Sequence, residues 1–422
     1  MILAERLTAL VASAMVSLLL ASCAGRPAGV LIPVTTEVPG TSRVAMAVAT
    51  TRARTTGPDM FTGERGATPS FAEITVSLPP DAARQIGEVQ WPRSVPGNPA
   101  TDFVVTGARD MDRGQALAWL HADVAKRPQH QVLVFVHGYN SRFDDAVFRF
   151  AQIVHDSGAN VTPVLFTWPS RGSLLAYGYD RESAVYSRDA LEDLLGGLAN
   201  DPAVGEISIL AHSMGNWVTF EALRQMGIRK GRIPAKIKNV MLAAPDVDVD
   251  IFQQQWKDLG TPMPNVTLFV SQDDRALQVS QRVWGSKARL GQVNPEIEPY
   301  RSEFISRKIT VLDLTTLNTS DNLNHGKFAA SPGVVQLIGA RLAAQKTITD
   351  NRDGVGDRIL QVTTGAASSI GQAAGLVISA PVAVLDANTR DNLGAQMQNL
   401  GGTVSGTVGS TTGLITTVPN SQ

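Results

Sequence analysis

The amino-acid sequence predicts an α/β fold, a mostly parallel central sheet with helices on both faces. Short, continuously apolar runs such as Val132-Leu133-Val134-Phe135-Val136 suit strands buried on both sides, as parallel sheets require. Segments with helical spacing of apolar residues alternate with these runs, as strand–helix–strand crossovers demand. One run, Ile207-Ser208-Ile209-Leu210-Ala211, ends abruptly in His212-Ser213-Met214-Gly215-Asn216, where a strand must turn sharply into a helix.

The elements follow in order. Strand-like pieces at 44–49, 72–78 and 103–106, separated by Pro/Gly-rich turns, begin the sheet. Strands are then expected at 132–136, 162–167, 207–211, 240–244, 266–270 and 309–314. Helices are expected between or after them at 143–155, 188–199, 217–226, 251–259, 276–284 and 334–343. This order is an α/β-hydrolase layout, and the folded domain is assigned to 41–348.

The serine of such a strand-to-helix elbow takes a strained backbone, so the positions two before and two after it must be small. Here they are Ala211 and Gly215. Glycine is usual at both, and Ala211 departs from that by one methyl group. A buried serine on an ordinary connection would show the same five residues, so the reading depends on partners elsewhere.

A serine hydroxyl is a weak nucleophile until a base takes its proton, and the base needs an acid to hold its tautomer. In this layout the chain order is serine, acid, histidine. Of the six histidines, His121, His130, His137, His155 and His212 precede Ser213 and His325 follows it, which makes His325 the expected base. It stands in Asn324-His325-Gly326-Lys327, after the last strand, where loops at carboxyl ends of strands gather. The acid is expected where the 266–270 strand runs into Ser271-Gln272-Asp273-Asp274-Arg275, which leaves Asp273 and Asp274 both open. Asp246, Asp248 and Asp250 form a second acidic set, read as helix capping and solvated turns because no histidine or cysteine stands near. No metal and no cofactor are expected.

A developing oxyanion needs two backbone N–H donors. Met214, directly after the nucleophile, is one, and Tyr139 of the loop His137-Gly138-Tyr139-Asn140 is the other, with Gly138 letting the chain pass close. His137 and His212 are expected to support these loops. Trp168, Tyr177 and Tyr179 lie just past a strand's carboxyl end, where they either wall an acyl pocket or simply pack. The insertion between 244 and 266 is short for a lid, which favours a short or medium acyl ester, or an acylated surface component, over a long-chain lipid.

Over about residues 44–343 the chain resembles a family of bacterial α/β-hydrolases of unassigned substrate. The resemblance rests on Phe135-Val136-His137-Gly138-Tyr139-Asn140, Trp168-Pro169-Ser170-Arg171-Gly172, Tyr179-Asp180-Arg181-Glu182-Ser183-Ala184, Ala211-His212-Ser213-Met214-Gly215-Asn216, Ala243-Ala244-Pro245-Asp246-Val247-Asp248 and Ser271-Gln272-Asp273-Asp274-Arg275-Ala276-Leu277. It implies the fold and a Ser-Asp-His hydrolase, shares the alanine at Ala211, and favours Asp274 over Asp273 as the acid. It implies no substrate.

The first 22 residues resemble a lipoprotein signal peptide: an apolar run at 7–20, too short to span a bilayer comfortably, then Leu20-Ala21-Ser22-Cys23. Cys23, the one cysteine, is the expected lipidated terminus, and with Ala24 rather than Asp behind it the resemblance to Gram-negative lipoproteins implies the outer membrane. The other reading is an ordinary signal peptide with an incidental cysteine, which still exports the chain. Residues 23–40 are expected to be a flexible tether. With 422 residues, 43% hydrophobic, the chain can bury one sizeable core. Lys+Arg 37 against Asp+Glu 38 leaves no basic excess, so no nucleic-acid partner is expected. The segment 349–422 is rich in Gly, Ala, Ser and Thr, with no charge between Arg358 and Asp386, and reads as flexible or weakly amphipathic rather than as a membrane span. Oligomeric state is not legible. The competing reading from another class is an inactive hydrolase scaffold that binds an envelope partner.

Overall fold

The computed structural model describes residues 27–285 and 287–344. The expected signal peptide, Cys23 and the 349–422 tail lie outside these residues.

Among the described residues the strands are β1 Ser42–Arg54, β2 Phe61–Leu78, β3 Val104–Met111, β4 Gln131–Val136, β5 Thr162–Thr167, β6 Glu206–His212, β7 Ile237–Ala243, β8 Asn265–Val270 and β9 Thr310–Asp313. They form a 9-stranded sheet in the order β3-β2-β1-β5-β4-β6-β7-β8-β9. β1 pairs antiparallel with β2, and β2 with β3; every pairing from β1–β5 to β8–β9 is parallel.

Two-residue periodicity divides each central strand between two cores. Val132, Val134 and Val136 of β4, with Ile207 and Ile209 of β6, pack into one core. Leu133, Phe135 and Leu210 pack into the other. Because both faces are apolar, β4 reads as a nearly continuous hydrophobic run, while β6 admits the buried Ser208, whose Oγ accepts from Gln131 and Asn239.

The first core is closed by α1 Arg113–Val124, α3 Tyr177–Tyr186, α4 Arg188–Asn200, α5 Gly215–Lys230, α6 Val249–Lys257 and α8 Tyr300–Ser306. The second is closed by α2 Phe143–Ser157, α9 Lys327–Ala330 and α10 Pro332–Ala344, with Phe135 stacked on Phe150 at 5.2 Å. The remaining helix, α7 Arg275–Trp284, follows β8. No helix among the described residues is long and apolar enough to cross a membrane.

Four helices, α1, α3, α8 and the short α9, stand where none was expected. α1 buries only Leu120, Asp123 and Val124, too few apolar positions to mark a period. Its start was nevertheless written in the chain as a capping box: Asp112 Oδ1 accepts from Gln115 N–H at 2.8 Å, and Gln115 Oε1 from Asp112 N–H at 2.9 Å. The described part of the expected tether, 27–40, is not loose. Val30 and Leu31 are buried in the second core, Gly29 N–H donates to Asp59 Oδ1 at 3.1 Å, and Val34 N–H donates to the Val105 carbonyl at 2.7 Å. Two buried aliphatic side chains outweigh the Pro/Gly-rich composition around them.

Candidate active site

Ser213 sits between β6 and α5 with φ 51°, a left-handed backbone that costs a residue with a Cβ about 1–2 kcal/mol. Hydrogen bonds hold it there. Its N–H donates to the Ala243 carbonyl at 2.9 Å, and its own carbonyl accepts from Asn216 Nδ2 at 2.9 Å and Asp246 N–H at 3.3 Å. A Cβ on Gly215 would lie 2.3 Å from the His137 carbonyl oxygen and 2.6 Å from that of Val136, so the helix starts closely only with glycine there. Gly138 likewise passes close to the elbow, where an added Cβ would stand 2.7 Å from that of Ser213. Ala211, in contrast, is fully buried in the first core, where its methyl packs without conflict.

The loop after β9 brings His325 to the carboxyl end of the sheet. Asp274 is fully buried at the N-terminus of α7, and its Oδ2 accepts from His325 Nδ1 at 2.7 Å while Oδ1 accepts from Leu277 N–H at 2.9 Å. A carboxylate only accepts, so the His325 proton is on Nδ1 and Nε2 is left as a base. Asp273 points elsewhere. It takes Lys327 Nζ on both oxygens at 2.9 Å, Ser271 Oγ at 2.5 Å and Asn324 Nδ2 at 2.8 Å. Of the two aspartates, Asp274 is the one bonded to His325.

Burial opposes a charge on His325, but the charge and hydrogen bond of Asp274, with Asp246 and Asp321, outweigh it and raise its pKa above the ordinary 6.5. His212 differs. Burial and the neighbouring His325 push it well below 6.5, and its Nε2–H donates to the His325 carbonyl at 3.2 Å with the rings 4.8 Å apart. The neutral neighbour of Ser213 therefore holds the His325 loop over the elbow.

The N–H groups of Met214 and Tyr139 make no hydrogen bond among the described residues, which leaves both open as donors. Beneath Tyr139, His137 Nδ1–H donates to the Gly138 carbonyl at 2.9 Å, and Nε2 accepts from Trp168 N–H at 3.1 Å. Burial and the adjacent Arg52 guanidinium lower its pKa to about 3, so His137 is a neutral strut.

The three aromatics read as pocket candidates separate. Trp168 is fully buried, stacked on His137 at 4.9 Å and donating Nε1–H to the His137 carbonyl at 2.8 Å; it braces the loop from below rather than walling a pocket. Tyr179 turns away, its hydroxyl on the Gly63 carbonyl at 3.2 Å and its ring 3.7 Å from the Arg171 guanidinium. Tyr177 alone stays by the site, edge-on to Tyr139 at 5.2 Å, stacked on Trp284 at 5.0 Å, and donating to Asp246 Oδ2 at 3.0 Å. Asp246 and Asp248 share Arg289, at 3.3 and 2.8 Å. No group of three or more His, Cys, Asp or Glu among the described residues could hold a metal ion.

Comparison with known proteins follows the same geometry. A family model described as alpha/beta hydrolase of unknown function (DUF900) matches residues 112–341, more than half of the chain. The chain belongs to this family. The chain is also 25% identical to an uncharacterized protein of Nostoc sp. (strain PCC 7120) over 24% of its own length and 33% of the relative's, so it spans about a third of that curated relative. A solved fungal esterase from Rhizomucor miehei aligns with 12% identity and a TM-score of 0.29 over 73% of this chain and 84% of that one.

Sequence reasoning missed the supports of the hydrolase's loops. Asp321 Oδ2 accepts from the His325 N–H at 2.7 Å and the Gly326 N–H at 2.5 Å, and the buried Lys327 ties Asp273 to the Leu314 and Thr315 carbonyls. Both residues lie within six positions of His325, and neither matches a motif.

Proposed function

We propose that this hydrolase is an envelope-anchored serine enzyme that cleaves an ester-type acyl bond through an acyl-enzyme. The observation that carries this reading is the fully buried Asp274 bonded to His325 Nδ1 at 2.7 Å, beside a serine held at φ 51° on a strand–helix elbow. In the reaction, His325 Nε2 takes the Ser213 hydroxyl proton as the oxygen attacks the acyl carbon. The N–H groups of Met214 and Tyr139 receive the oxyanion, and the proton passes to the departing alcohol. Water repeats the sequence to release the acid and restore Ser213.

An apolar rim supports an acyl rather than a charged substrate. Leu174 and Leu175 are 72% and 98% exposed, the Tyr139 hydroxyl donates to the Leu174 carbonyl, and Trp284 stands 47% exposed beyond Tyr177. Leu175→Asp is accordingly expected to raise KM for a six- to eight-carbon p-nitrophenyl ester about three- to tenfold more than for the acetate. Equal changes for both esters would remove the rim from the substrate site.

Fluorophosphonate labelling tests the reading as a whole. The purified soluble form is expected to label, and folded protein that stays unlabelled would overturn it. Anchoring is tested separately: Cys23→Ser is expected to move the chain from the membrane fraction to the soluble periplasm, and an unchanged distribution would refute the lipid anchor.

A further inference from the structure

Two of the strings that carry the family resemblance, 168–172 and 179–184, take no part in the triad, yet they meet the 135–140 string at one carboxylate. Asp180, fully buried on α3, accepts from Ser170 Oγ–H at 2.5 Å and Asn140 N–H at 3.3 Å on Oδ2, and from Arg171 N–H at 3.0 Å on Oδ1. Ser170 Oγ in turn accepts from Ser141 N–H at 3.0 Å. From the other side the buried Arg52 of β1 donates to the Ser141 and Ser170 carbonyls, each at 2.8 Å. Asn140, held at the centre with φ 56°, directly follows Tyr139.

We propose that Asp180 is a positioning residue that clamps the oxyanion loop, fixing where the Tyr139 N–H points. The inference rests on the serine-hydrolase reading for its catalytic consequence, but not for the clamp itself. A carboxylate has acceptors and no donors, so it takes three N–H and O–H groups at once. An amide in its place turns an NH2 toward one of them and releases the loop without changing the volume. Small displacements matter here, since an oxyanion donor moved by about 1 Å loses much of its effect.

The test compares Asp180→Asn with wild type by three readouts: amide exchange of the 137–142 peptide, kcat and KM on p-nitrophenyl acetate, and inhibition by an alkyl boronic acid. Faster exchange in that peptide is expected. With it, kcat should fall about 10- to 100-fold and KM stay within about threefold, while the boronic acid, whose adduct on Ser213 occupies the oxyanion hole, weakens in parallel with kcat. A lower melting temperature with unchanged kcat and unchanged loop exchange would overturn the clamp, since a merely structural carboxylate behaves so. Should Asp180→Asn fail to fold, Ser170→Ala deletes only the relay to Ser141 and carries the same expectation at smaller size. Wild type inert toward ester and boronic acid would refute the hydrolase reading, and loop exchange alone would then decide the clamp.

Discussion

Asp274→Asn is expected to lower kcat/KM on any ester this hydrolase turns over by about 10⁴-fold, whereas Asp273→Asn lowers it by less than about tenfold. The two residues are neighbours in the chain and opposites in the fold. An amide at Asp274 presents an NH2 to His325 Nδ1, so the ring moves its proton to Nε2, the nitrogen that must receive the serine proton. An amide at Asp273 leaves that bond intact and instead strands the buried Lys327, so its effect belongs to thermal stability. The pH profile gives a second reading. On the proposed mechanism His325 is the neutral base, and its pKa is raised above 6.5, so activity is expected to fall as pH drops through a value above 6.5. Without the Asp274 charge, the limb of whatever activity remains moves to lower pH. Equal losses in the two variants would show that the pair acts only through folding.

Ser213→Ala and His325→Ala are each expected to abolish fluorophosphonate labelling and to cut hydrolysis by about 10⁴- to 10⁶-fold. The double variant should lose little more, because a nucleophile and its base act as one unit. Alanine also has a Cβ, so the elbow keeps its strain and the variant reports chemistry rather than relief of φ 51°. Retained labelling in folded Ser213→Ala would place the reactive serine elsewhere.

The central sheet was legible because β4, β6, β7 and β8 are buried on both faces, which writes their position as apolar runs. The elbow was legible because its steric demand falls on Gly215, where a Cβ would meet the His137 and Val136 carbonyls, with the small Ala211 on its other side. Chain order exposed His325, since the other histidines precede the serine. The long ends of β1 and β2 were not visible: residues 50–54, Thr-Thr-Arg-Ala-Arg, are polar, and their strand is held by pairing with Arg65 and Phe61 across register shifts. Arg52 carried no local signal, because its role depends on contacts 85 to 118 residues away. Trp168 and Tyr179 stayed open between pocket and packing for a related reason. Proximity in sequence to a strand end does not say which side of the loop a ring will take.

Timing follows from this dispersion. His212 meets the loop of His325 across 113 residues, and Asp274 reaches His325 across 51. During synthesis Ser213 therefore emerges long before His325. Contacts of such sequence separation form late, because the intervening chain must first be ordered. On the proposed mechanism, a chain cut short before residue 325 holds the elbow and no general base, so reactivity is expected only with the finished fold.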